Sequence, residues 1–164
     1  LARTLGVMTS TFSLTYDLVG TGWSTCVVEA GDVKLELSAS YLSDALGNLV
    51  LFAYAAASGF HSLSFGFDEE PGEYRWVAQA IDANLIKVRI LEFQDLWAHK
   101  SNAEGKVLLD IDIPPLVLAE AVAKAAEAVL QKYGLPGYAE KWAEHQFPEQ
   151  QLSLLKSSIQ QWRE

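Results

Sequence analysis

The chain has 164 residues, half of them apolar and 11% aromatic, with a formal net charge of −9. That length suits one domain with its own core, and the acidic field argues against nucleic acid and anionic membrane as partners. A single cysteine, Cys26, leaves no internal disulfide and no cysteine-based zinc site.

Residues 1–7 show no continuous apolar stretch of the kind a secretory signal needs. Met8 is a candidate start. Residues 1–7 are therefore read as an N-terminal extension of uncertain role, and residues 8–164 as one domain. Phe12, Leu14, Tyr16 and Leu18 then alternate with Ser13, Thr15 and Asp17, the period of a half-buried strand. Gly20-Thr21-Gly22 breaks it. Trp23 to Glu29 is β-branched and aromatic, and Val33, Leu35 and Leu37 alternate beyond the Gly31-Asp32 turn. Cys26 falls in the second of these strands, beside Val27 and Val28, where a buried inert thiol is expected.

The period then changes. Leu42, Ala45, Leu46, Leu49, Val50, Ala53, Ala56 and Ala57 recur at three and four, one face of a helix that Ser40 can cap, with Asp44 in the first turn and Gly59 at the end. Within it, Leu49 to Ala57 is the longest apolar run, nine residues where a membrane span needs about 20. Four more strands follow. Leu63, Phe65 and Phe67 mark one, and Tyr74 to Ile81 the next. Ile86, Val88 and Ile90 mark a third, and Val107, Leu109, Ile111 and Ile113 a fourth. Pro114-Pro115 opens the longest helix, Gly134 and Pro136 stop it, Tyr138 to His145 reads as a separate short helix, and Trp142 and Trp162 are placed to dock the last helices. The result is an α+β chain in the order β-β-β-α-β-β-β-β-α-α. It forms an antiparallel sheet of about seven strands with helices packed on one face. The other face is expected to carry Ser13, Thr15, Lys34, Glu36, Arg75, Gln79, Lys87 and Arg89.

The densest chemical feature is Asp68-Glu69-Glu70-Pro71-Gly72-Glu73-Tyr74-Arg75-Trp76. It sets four carboxylates around a Pro-Gly pair suited to a type II turn, then runs into a strand with Tyr, Arg and Trp. Asp68, Glu69, Glu70, Glu73, Arg75 and Trp76 are the candidate partner-binding residues, set against the plainer role of a solvated hairpin tip. Arg75, Lys87 and Arg89, at period two, can share one sheet face as a patch for an anion or a partner, unless carboxylates such as Glu36 neutralise them. Asp95 and His99 are weak catalytic candidates, meeting at i and i+4 if that segment is helical. Asp110 and Asp112 share a strand face and suit its wet side.

No metal-ligand spacing, phosphate loop or nucleophile elbow occurs, and no cofactor or metal is expected. The cast is that of a small acidic bacterial protein. The expected function is a non-enzymatic, cytoplasmic protein-binding module of the kind an immunity protein or antitoxin represents, docking electrostatically on a basic partner. The alternatives are a small-molecule carrier or sensor with a cavity between sheet and helices, and a hydrolase or isomerase using Asp95 with His99.

Overall fold

Alternation along the first strands has the consequence physics requires of it: Leu14, Tyr16 and Leu18 are buried while Ser13 and Thr15 face water. In the computed structural model, which describes residues 7–8, 11–97 and 99–164, the chain is α+β. Strands β2 (Phe12–Val19), β3 (Trp23–Ala30) and β4 (Val33–Ser40) form an antiparallel meander. Gly31 closes its second hairpin at φ 56°, a value that only glycine accepts cheaply at the first position of a two-residue turn. Cys26 lies on the inner face of β3, 1% exposed, and burial pushes its thiol pKa far up.

Helix α1 (Ala45–Ala57) follows. Its cap is Asp44, whose carboxylate accepts from the Gly47 N–H at 3.2 Å. The cap expected at Ser40 is corrected, because Ser40 remains paired with Trp23 as the last residue of β4. Nine of the thirteen residues of α1 are buried, its alanines let neighbouring elements approach closely, and Gly47 makes room for the Asp44 carboxylate that caps it. The hydrophobic effect therefore fixes α1 as the centre of the molecule.

Strands β5 (Ser62–Asp68), β6 (Glu73–Asp82), β7 (Leu85–Phe93) and β8 (Lys106–Ile113) form a second antiparallel sheet, and the two-residue β1 (Val7–Met8) adds in parallel at the β8 margin. Residues 1–6, the bulk of the expected N-terminal extension, lie outside the described residues. The seven antiparallel strands occur in the expected order, divided three and four between two sheets that meet where β4 runs beside β5. Phe67, Trp76, Val88, Ile90, Leu109 and Ile111 project into the single main core with the helices. Ser13, Thr15, Lys34, Glu36, Arg75, Gln79, Lys87 and Arg89 lie on the faces turned away from it, as their parity requires, though on two sheets instead of one. Val107 departs from its expected inward role. A register shift between Ile90 and Leu91 sets it opposite Leu91, on the outer side and 53% exposed.

Helix α2 (Pro115–Trp142) breaks its own regularity at Gly134, with φ 66° and ψ 175°, two residues before Pro136. The second limb then buries Tyr138 and Trp142 completely. Helix α3 (Glu149–Arg163) docks through Leu152, Leu155 and Ile159, and the Trp162 indole N–H donates to the Ala57 carbonyl at 2.8 Å. No described helix is long and apolar enough to cross a membrane.

Candidate functional site

The acidic turn joins β5 to β6, and it is held from three directions. The Ser38 hydroxyl on β4 donates to Glu69 at 2.9 Å. The Leu96 N–H donates to the Pro71 carbonyl at 2.6 Å, and within the turn the Glu69 N–H donates to the Gly72 carbonyl at 2.9 Å. The positive φ falls on Glu70, at 57°, and not on Gly72, so the Pro-Gly type II turn expected from the sequence is corrected; the Glu70–Pro71 peptide is cis. Gly72 is required for a different reason than a left-handed backbone. A Cβ there would overlap the Phe93 carbonyl oxygen, which a glycine lets approach.

The four carboxylates have separate fates. Asp68 is buried, and desolvation, reinforced by Glu73 and Glu70, raises its pKa against the smaller lowering influence of the nearby Ser43 hydroxyl. Glu69 bonds Ser38 and faces Tyr74, whose pKa rises through burial and the nearby charges of Glu69 and Glu92. Glu73 forms a 2.6 Å ion pair with Arg75, each side chain only 16% exposed. Glu70 alone of the four is exposed.

Arg75 is the hub of the neighbouring loop. Its guanidinium also donates to the Lys100 carbonyl at 2.7 Å and to Asn102 Oδ1 at 3.0 Å, and it lies 4.1 Å over the Phe93 ring. These contacts strap residues 94–97 and 99–105 across the outer face of the larger sheet, over the small cluster of Val77, Leu91 and Phe93. Ser101 and Glu104 close the far end, with the Ser101 N–H donating to Glu104 at 2.7 Å. The strap presents Trp97 to solvent, 64% exposed, at φ 60°. A bulky residue held in left-handed backbone is uncommon enough to mark the position. Trp97 follows directly on Leu96, whose backbone ties this loop to the acidic turn.

Trp76, expected among the partner-facing residues, points the other way. It is completely buried and stacked 6.0 Å from Phe65, with Phe52 and Phe67 on its edges. It supports the turn from behind through packing.

Arg75, Lys87 and Arg89 do share one sheet face. Arg75 is engaged as described. Lys87 lies between Asp110 at 2.8 Å and Asp112 at 3.1 Å. Burial disfavours its charge, but the two carboxylates outweigh that and raise its pKa. Arg89 sits half-buried with Asp110 as its register partner. Glu36 belongs to the other sheet and pairs in register with Val27. Asp110 and Asp112 thus serve as the counter-ions of Lys87.

Residues 94–97 form bends and turns, not the helix that would align Asp95 with His99. Asp95 pairs instead with Lys100 at 3.3 Å, and His99, exposed at φ 53°, shares no hydrogen bond with it among the described residues. No group of three or more His, Cys, Asp or Glu side chains that could hold a metal occurs among the described residues.

Trp97 is the residue that sequence reasoning passed over. The available signal was a tryptophan in a stretch without apolar period, flanked by charge, where no core role could claim it. Comparison of the chain with protein-family models, with curated proteins and with solved structures finds no match to any of them.

Proposed function

We propose that this chain is a protein-binding module that docks on a basic surface, with the paired loops at residues 69–72 and 94–97 as its epitope. The observation that carries this reading is the Leu96–Pro71 hydrogen bond, which fastens an exposed tryptophan beside an exposed acidic tip. Tryptophan is among the residues that most often dominate interface energy, and carboxylates around it reject acidic competitors while steering basic partners. Seven of the nine net negative charges lie in residues 1–82, so steering draws on that half of the chain. The module acts by occlusion in the cytosol, in the manner of an immunity protein or antitoxin.

The test is kinetic. The partner is captured with a tagged chain, identified, and its association measured against salt concentration. Glu69→Lys with Glu70→Lys should slow association about tenfold at low salt and flatten the salt dependence. Trp97→Ala should speed dissociation by an amount worth about 2–4 kcal/mol. A partner whose rates ignore both changes would remove the reading.

A further inference from the structure

Among the described residues no strand pairs with the margin of β2 that faces away from β3. The hydrogen bond from Gly31 N–H to the Thr11 carbonyl fixes the antiparallel phase, so odd residues of β2 bond to β3 and even ones face outward. Two further contacts agree with that phase. The Leu18 N–H bonds the Asp17 carboxylate, and the Leu18 carbonyl lies 3.2 Å from the Tyr133 hydroxyl of α2. At that end the margin is closed by Lys132 and Tyr133, both bonded to Asp17. Toward Phe12 it opens into a groove of about 400 Å³ between β2 and α2, lined by every residue from Phe12 to Tyr16. Residues of both parities line it, so the groove runs along the strand edge and not over one face.

We propose that this groove accepts an extended peptide segment of another protein as an added strand, with alternate apolar side chains and one carboxylate. The backbone of Leu14 and Tyr16 supplies the ladder. Ala121, Ala125 and Ala128 of α2 leave room for the apolar side chains. Lys124 sets the charge preference. It lies at the groove with no ion pair among the described residues, whereas its neighbour Glu120 is held by Arg163 at 2.7 Å. A lipid tail would cover the open peptide groups without bonding them, which disfavours it. A second copy brings nine more negative charges and offers β2 an Asp17 already committed to Lys132.

The probe is a set of soluble octapeptides alternating valine with serine, with one glutamate or one lysine stepped through the serine positions. The glutamate series should bind at least ten times more tightly, with the Leu14 and Tyr16 amides slowed in hydrogen exchange. Lys124→Glu should invert the preference, and Ala128→Phe, on an exposed helix position, should abolish binding of both series. Glu70→Lys and Trp97→Ala should leave it unchanged, which separates this site from the docking epitope. Four results would overturn the proposal: no binding by any peptide at about 1 mM, binding indifferent to Lys124→Glu and Ala128→Phe, displacement of the peptide by a dansylated fatty acid, or protection of the same amides by self-association measured in sedimentation.

Discussion

The outer faces of the two sheets carry the same kinds of charge and use them differently. On the larger sheet the pairs are drawn out of water: Arg75 with Glu73 at 16% exposure, and Lys87 at 19% between Asp110 and Asp112. On the smaller sheet Lys34 and Glu29 meet at 71% and 52%. Coulomb attraction grows as solvent withdraws, but so does the penalty for removing one partner. The first face is therefore an organised polar layer that positions a loop. The second is a solvated surface with little structural consequence.

This contrast predicts a graded series. Arg75→Ala should cost about 3–4 kcal/mol, since it strands Glu73 and frees the loop segment at Lys100 and Asn102 together. Proteolysis in that loop should accelerate in step, and a variant that kept the loop protected would break the comparison. Lys87→Ala should cost about 1–2 kcal/mol in chemical denaturation. Because the folded pKa of Lys87 is raised, its contribution is complete at neutral pH and is lost as pH rises through that value, above the ordinary 10.5. The gap to wild type should stay flat from about pH 6 to 9 and close in stronger alkali.

Asp68→Asn should act in the opposite direction. Its raised folded pKa means that the ionised form costs stability at neutral pH, a cost that disappears as pH falls through the folded pKa. The variant should gain up to about 1 kcal/mol at neutral pH, about 2–4 °C in Tm, and nothing near pH 3. A loss at neutral pH would overturn the assignment of desolvation as the dominant influence on Asp68. Lys34→Ala should lie within about 0.5 kcal/mol of wild type at any salt concentration.

Much of the fold was legible because alternation and helical period are local. Phe12 to Leu18, Leu85 to Ile90 and the alanine-rich α1 each declare which side they bury. The division into two sheets was not legible. It depends on where β5 lands after α1, and parity along a strand says nothing about its neighbour. Ser40 and Asp44 both suit a cap, and only the pairing of Ser40 with Trp23 decides between them. The acidic turn was visible as charge. Its restraint by Ser38 and Leu96 was not, because those partners are 31 and 25 residues from Glu69 and Pro71. Trp76 and Trp97 show the limit most plainly. The same side chain serves as core in one place and as surface in the other, and the deciding fact is a loop strapped by an arginine.

The lone sulfhydryl of Cys26, sealed inside β3, has a practical corollary. Alkylating reagents should reach it only when the whole molecule opens, so its labelling rate is a clock for global unfolding. A cysteine introduced on the surface would then be the only thiol such reagents meet in the native state, free for a dye or spin label without first deleting the natural one.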